Sequence, residues 1–267
     1  MFTSLYNKVS PSCCYITVFV GDELISEGTG FAYCPAAEVL TAAHVVTGRW
    51  PIRRADHQDP NQRIFCKFPG IPVLEYRVFF CCIEIEVPGF LQRAQIDMAL
   101  LAPKLPPPQS IPFLQALANP PSLGEKVFMA GYSEELQLPF QVDKLLPRDM
   151  NGVSDFIAAM KTGYMADMTG PMIKQGHVGN IRRVIAEDTQ LGHKVECDFM
   201  YIDNSMHPGA SGGPVFNEAG DAVGIISQRA TTSVEAGESG KVYVPAGSTV
   251  AISLAPLEYV IHKTGGA

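Results

Sequence analysis

No stretch of this 267-residue chain is apolar for long enough to cross a bilayer. Charged residues make up only 18%, and the balance is acidic, with a net charge of -7. That balance, with no concentrated basic stripe, excludes a nucleic-acid surface. The arginines between Arg49 and Arg63 are interrupted by acidic residues and prolines, as in a solvated loop. There is no phosphate-cradling glycine loop, no His-Glu-x-x-His and no acidic calcium loop, so neither a cofactor nor a metal is expected. The seven cysteines, Cys13, Cys14, Cys34, Cys66, Cys81, Cys82 and Cys197, are odd in number and contain no Cys-x-x-Cys spacing. Adjacent pairs on strands point to opposite faces, which makes a poor disulfide framework. A reducing cytoplasm suits such a set. Met1 to Val20 lacks the basic start and small-residue cleavage site of a secretion leader, and reads as part of the mature protein.

What the chain has is turns and apolar segments. With 46% hydrophobic residues it can bury a sizeable core as one unit or two. Its 24 glycines and 21 prolines suit many short strands joined by turns. The run His207-Pro208-Gly209-Ala210-Ser211-Gly212-Gly213-Pro214-Val215 sets a serine among glycines, where its hydroxyl is exposed and backbone N–H groups converge. Acyl transfer needs that arrangement, because its oxyanion is stabilised by donors placed before reaction begins. Gly209 and Ser211 are the expected N–H donors. Gly-Ser-Gly-Gly also occurs in flexible loops, so the weight rests on partners. Leu40-Thr41-Ala42-Ala43-His44-Val45-Val46 places a histidine after small residues, and Ile96-Asp97-Met98-Ala99-Leu100-Leu101 an aspartate at the head of an apolar strand. His44, Asp97 and Ser211 follow one another in the chymotrypsin order. Taken alone, His44 would read as a core histidine and Asp97 as a strand-end carboxylate.

With these residues the chain resembles the trypsin- and chymotrypsin-like serine proteases, and within them the bacterial HtrA-type protease domains. Gly28-Thr29-Gly30-Phe31 and Val39 to Val46 look like that group's first-barrel signature, and Leu123 to Tyr132 like the strand opening its second barrel. Gly220 to Ser227 resembles the hairpin after the nucleophile. The resemblance spans roughly residues 15 to 255. It implies an all-β fold of two six-stranded antiparallel β-barrels, with the active site between them and a short C-terminal helix. The implied activity is endopeptidase chemistry on a protein or peptide substrate. Ser211 would be the nucleophile, His44 the general base and Asp97 its orienting partner. Val45 stands where secreted relatives carry one half of a disulfide beside the histidine.

The prolines between Ala102 and Pro112 cannot continue a central strand. They divide the chain into residues 1–112, carrying His44 and Asp97, and residues 113–267, carrying Ser211. Two stretches exceed what the family's core needs. Residues 48–76 read as a polar, proline-punctuated loop. Residues 137–172 read as an insertion holding a helix from Val153, capped by Ser154 or Asp155. Its methionines suit a lid or partner-docking element, against a plain helix packed on the second barrel. A helix is expected at about 254–262, with no PDZ domain after it.

By the same resemblance, the specificity pocket is floored by Ser205 with Met206 beside it and walled by Ser227, Gln228 and Arg229. A neutral serine cannot neutralise Lys or Arg, so a small or medium neutral side chain is expected before the scissile bond, with an acidic one second. Ala210 replaces the aspartate that pairs with a newly cut N-terminus in digestive relatives. Cutting the N-terminus is therefore not expected to activate the chain, which is either competent as made or switched by loop ordering on a substrate or regulatory partner. Histidines 57, 177, 193, 207 and 262 read as surface or packing residues. The competing reading is a catalytically silent interaction module that keeps the protease fold. A third is an effector protease held inactive by a sensor encoded elsewhere, with the methionine-rich insertion as the contact.

Overall fold

A computed structural model describes residues 2–85, 94–134, 147, 149–188, 193–235 and 241–264. Twelve antiparallel strands close into two barrels. The first contains β1 (Cys13–Val20), β2 (Glu23–Ala32), β3 (Val39–Thr41), β4 (Gln62–Lys67), β5 (Leu74–Ile85) and β6 (Ala94–Pro103). They pair in the order β1-β2-β3-β6-β5-β4, and β4 returns to β1 with Cys66 opposite Ile16. The second contains β7 (Lys126–Gly131), β8 (Met172–Asp188), β9 (His193–Ile202), β10 (Pro214–Phe216), β11 (Ala222–Glu235) and β12 (Lys241–Ser253). Its cyclic order, β7-β8-β9-β12-β11-β10, repeats that of the first. His44 and Ser211 consequently occupy equivalent places, each in the segment after its barrel's third strand.

Strand alternation sorts side chains between the two faces. In β7, Val127 and Met129 enter the interior of the second barrel, together with Met200, Ile202 and Val215. Phe128 between them points outward and stacks on Phe216 at 5.6 Å. That outer face is covered by α1 (Phe2–Val9), whose Phe2 ring lies 6.1 Å from Phe128. Burying each such phenylalanine contributes about 2–3 kcal/mol. Lys8 of α1 donates to Ala219 O and pairs with Asp221, so a helix at the start of the first half is anchored on the second barrel. The spacing of Phe2, Leu5 and Val9 carried this helix, which the sequence reading missed.

The insertion crosses in the opposite direction. Its helix α3 (Val153–Ala159) follows Gly152, at φ +83°, so Ser154 and Asp155 lie in the first turn and neither is the cap. A wider turn, Met160–Tyr164, then packs on β1 and β4, and α4 (Ala166–Thr169) packs on that turn. The segment therefore docks on the first barrel and not on the second. Lys67, fully buried, holds it there by pairing with Asp167 and by lying over the Tyr164 ring, and also donates to its neighbour Phe68 O at 2.8 Å. A buried charge left alone would be costly, and this carboxylate offsets that cost. Residues 137–146 and 148 of the expected insertion lie outside the described residues.

Residues 48–76 are less loop than expected, since β4 and the start of β5 fall within them; Ile64 and Cys66 supply the buried face of β4. The proline-rich connection stitches the halves together: Leu114 N donates to Ala32 O, and Leu117 N to Ala222 O. The C-terminal helix, α5 (Pro256–Thr264), starts two residues later than expected because Leu254 still packs in the core ahead of Pro256.

All seven cysteines are free thiols, four of them buried. Burial, reinforced by the Asp97 and Glu84 carboxylates, pushes the Cys82 thiol up to about 12. Burial and Asp198 push Cys197 up to about 12 as well. Such thiols are nearly all protonated at neutral pH and react slowly. Titration with Ellman's reagent should therefore find seven thiols per denatured chain and a slow, partial reaction in the native protein. Fewer thiols in a denatured sample kept free of oxidant would contradict this account.

Candidate active site

Three short segments meet at the seam between the barrels. Helix α2 (Ala43–Thr47) leaves β3 directly and presents His44, while Asp97 sits inside β6, where the apolar residues around it bury it. The Asp97 carboxylate accepts the His44 backbone N–H at 2.9 Å and His44 Nδ1 at 2.7 Å. It also accepts the Ser227 hydroxyl at 2.6 Å. The carboxylate is an acceptor, so Nδ1 carries the proton and the Nε2 lone pair faces the cleft. Ser211 lines the same cleft as His44 and Asp97. Its hydroxyl donates to Ser227 O at 3.2 Å, so it must rotate toward Nε2 before it can be deprotonated.

The loop around Ser211 has its backbone donors turned outward. Pro208 C=O accepts the Glu134 N–H at 2.8 Å, which turns the Gly209 N–H of the same peptide plane the other way. Among the described residues neither the Gly209 N–H nor the Ser211 N–H has a partner. Gly209 has φ +88°, and a Cβ there would stand 2.4 Å from Tyr132 O. Gly212 has φ +84°, and a Cβ would stand 2.1 Å from Thr29 O. No other residue type fits either position without moving the loop.

Thr29 joins this loop to the first barrel, a role the sequence reading did not assign it. Its N–H donates to Ser211 O at 2.8 Å, and its hydroxyl donates to Gly209 O at 2.7 Å while accepting the Tyr132 N–H at 2.9 Å. Its carbonyl accepts the Thr41 hydroxyl at 2.7 Å. The residue is fully buried, so water cannot replace these bonds. The threonine flanked by two glycines on β2 was the available signal.

The cleft has a volume of about 370 Å³. Met206, Ser227, Gln228 and Arg229 line it as expected. Ser205 does not; it is half-buried and its carbonyl is held by Lys174 at 3.1 Å. Met206 takes the floor in its place because Thr249 accepts the Met206 N–H at 2.9 Å and turns that side chain inward. Phe199, Thr249, Trp50 and Gln95 also line the cleft and were missed, since they come from distant strands and loops. His207, read as a surface or packing residue, is exposed and also lines it. Asp97 is the one acidic group among the described lining residues. Ala210 is fully buried, and a Cβ on Gly131 would come within 2.7 Å of it, so the site has no room for a carboxylate.

A family model, the trypsin-like peptidase domain, matches residues 28–225. The chain belongs to the trypsin-like peptidases. The match takes in His44, Asp97 and Ser211. Among solved structures, the active form of the Rv3671c protease from M. tuberculosis is similar with a TM-score of 0.56 at 18% identity, covering 98% of this chain and 85% of that one. The inactive form of the Rv3671c protease gives 0.54 at 19% identity, with 98% and 93% covered. At such identities the likeness is one of fold. No curated protein sequence matches the chain. The peptidase is a serine endopeptidase by family, and among its described residues no helix is long and apolar enough to cross a membrane.

The Thr29 contacts generate a test. Thr29→Val keeps the shape but strands Gly209 O and Tyr132 N–H, which costs about 1–3 kcal/mol for each buried group left unsatisfied. The Tm should fall, and the rate of acylation by an activated ester should drop roughly tenfold or more as the loop loosens. Thr29→Ser should restore most of both. Equal acylation rates for the valine variant and wild type would contradict a positioning role.

Proposed function

We propose that this peptidase cuts peptide bonds through His44, Asp97 and Ser211. The observation that carries the reading is the 2.7 Å bond from His44 Nδ1 to a buried carboxylate, in a cleft shared with the serine. Ser211 Oγ attacks the scissile carbonyl carbon as its proton passes to His44 Nε2, and the carbonyl oxygen takes the negative charge. The Gly209 and Ser211 N–H groups receive that oxyanion. The C–N bond breaks as His44 returns the proton to the leaving amine, and water repeats the sequence on the acyl-enzyme. Asp97 keeps the imidazole in one tautomer and stabilises the imidazolium. Ser227 supports Asp97 from the second barrel.

Met206, Phe199 and Thr249 favour a small or medium neutral side chain before the scissile bond. The only carboxylate among the described lining residues is already engaged by His44 and Ser227, which disfavours Lys or Arg. A second preference, for an acidic side chain, is supported by Arg229 and His207 at the cleft. The silent-module reading is disfavoured because His44, Asp97 and Ser211 line one cleft. Seven free thiols support a reducing compartment such as the cytoplasm. The exposed Met150 and Met168, 54% and 51% exposed on the segment docked to the first barrel, suit contact with a regulatory protein.

Digestion of a mixed peptide library, read by mass spectrometry, tests the reaction and the pocket together. Wild type should cut after neutral residues, with acidic ones next. Ser211→Ala should show no cleavage, and Asp97→Asn should lose about 10³-fold or more. Cleavage by the Ser211→Ala variant would refute the mechanism, and a preference for Lys or Arg would refute the pocket.

A further inference from the structure

Cys81 and Cys82 lie side by side on β5, where its ladder to β6 slips. Cys81 faces Ala99 and Ile83 faces Ile96, so Cys82 alone opposes the Asp97–Met98 step. Its φ is +64°, in the left-handed region that residues other than glycine rarely enter. A residue in that conformation interrupts the alternation of a strand, as in a β-bulge. Neighbouring cysteines on a regular strand point to opposite faces, but here both pack against the same apolar core. The bulge makes a pair of two thiols that a regular ladder would separate.

This pair differs from the other thiols in access and surroundings. Both members are half-buried and free, so a small reagent reaches them, whereas Cys13, Cys14, Cys66 and Cys197 are buried. Cys34 is half-buried too, but no cysteine stands next to it in the chain. Burial pushes both thiols of the pair up, and the Asp97 carboxylate adds to it in each, so both sulfurs lie within its field. Thiols held protonated react slowly with reagents that need one thiolate. A centre that takes two sulfurs gains more, because after the first bond the second thiol is presented at a high effective concentration. A direct disulfide fits this pair poorly. Adjacent Cα atoms stand about 3.8 Å apart, closer than the roughly 4.4–6.8 Å that a disulfide spans. An atom inserted between the sulfurs widens the ring and removes that conflict.

We propose that Cys81 and Cys82 form a dithiol site for a trivalent arsenic compound, and that filling it switches off the peptidase through Asp97. Two As–S bonds form as the As=O bond of the reagent breaks. Both thiol protons leave with that oxygen as water, and nothing is oxidised or reduced. Soft sulfur ligands suit such a centre. The bridge draws the bulge of β5 together against β6, the strand that carries Asp97. Asp97 is held by bonds of 2.7 Å to His44 and 2.6 Å to Ser227, and their geometry tolerates little displacement. The binding step stands on the cysteines alone; the loss of cleavage rests on Asp97 orienting His44.

Native mass spectrometry of the whole protein with phenylarsine oxide, run beside cleavage of a peptide substrate, tests this site. The wild type should hold one phenylarsenic group per chain after a monothiol wash and release it to dithiothreitol, a dithiol. Cleavage should fall roughly tenfold or more while the group is bound, since losing the aspartate's role costs up to about 10⁴-fold. Cys82→Gly suits the positive φ, and Cys81→Ser keeps the size of the side chain. Neither variant should hold the group after the wash, and each should keep its own untreated rate in the presence of the reagent. An unmodified wild type, a group retained by both variants, or a modified wild type cleaving at full rate overturns the proposal. If the wild type cleaves nothing even untreated, the peptidase reading falls, and the mass result by itself still upholds or overturns the dithiol site.

Discussion

The site depends on one fully buried threonine. His44 and Ser211 stand on different barrels, so their separation is only as fixed as the seam between them. Thr29 uses every polar group it has: across that seam its N–H on Ser211 and its hydroxyl on Gly209 and Tyr132, and within its own barrel its carbonyl on Thr41. Two of these bonds hold carbonyls on either side of the peptide units that carry the free donors. The first barrel thereby fixes the backbone of a loop that belongs to the second. Bonds of this kind net about 1 kcal/mol each, but in a dry seam the cost of losing one is larger than its net worth. The requirement for no larger neighbour is met by Gly212, which passes so close to Thr29 that a Cβ would overlap its carbonyl.

The same reciprocity recurs on a larger scale. Helix α1 starts the chain yet is fastened to the second barrel through Phe2 and Lys8, and α3–α4 interrupt the second half yet are fastened to the first through Lys67. Asp97, from the first barrel, accepts a hydroxyl from Ser227 of the second. Each half therefore holds part of the other in place. Relative motion of the barrels would break apolar packing, the ion pair of the buried Lys67 and the Asp97–Ser227 bond together.

Much of this was legible in the residues. The glycine-flanked Ser211, the small residues before His44 and the apolar run around Asp97 carry strong local signals, since each needs a specific backbone setting. The glycines and prolines marked many short strands joined by turns, and the two barrels followed from the resemblance to the protease family. What escaped was determined by distant partners. The flanking Gly28 and Gly30 are the only local mark on Thr29, and its importance comes from Gly209 and Ser211, about 180 positions away. Ser205 was placed in the pocket by position alone, whereas Thr249 and Lys174 decide that Met206 enters and Ser205 does not. The docking side of the insertion turned on Lys67, which as an isolated lysine reads as a surface residue. The helix α1 was within reach from its spacing but was too short to stand out.

The central claim is that Ser211 is a nucleophile activated by His44 and Asp97. Its most direct measurement is labelling with a fluorophosphonate, followed by mass spectrometry of the modified peptide. The account predicts a single adduct on Ser211 in the wild-type protein and a much slower reaction in Asp97→Asn. An unlabelled Ser211 in folded protein, or an equal rate in the Asp97→Asn variant, would contradict it.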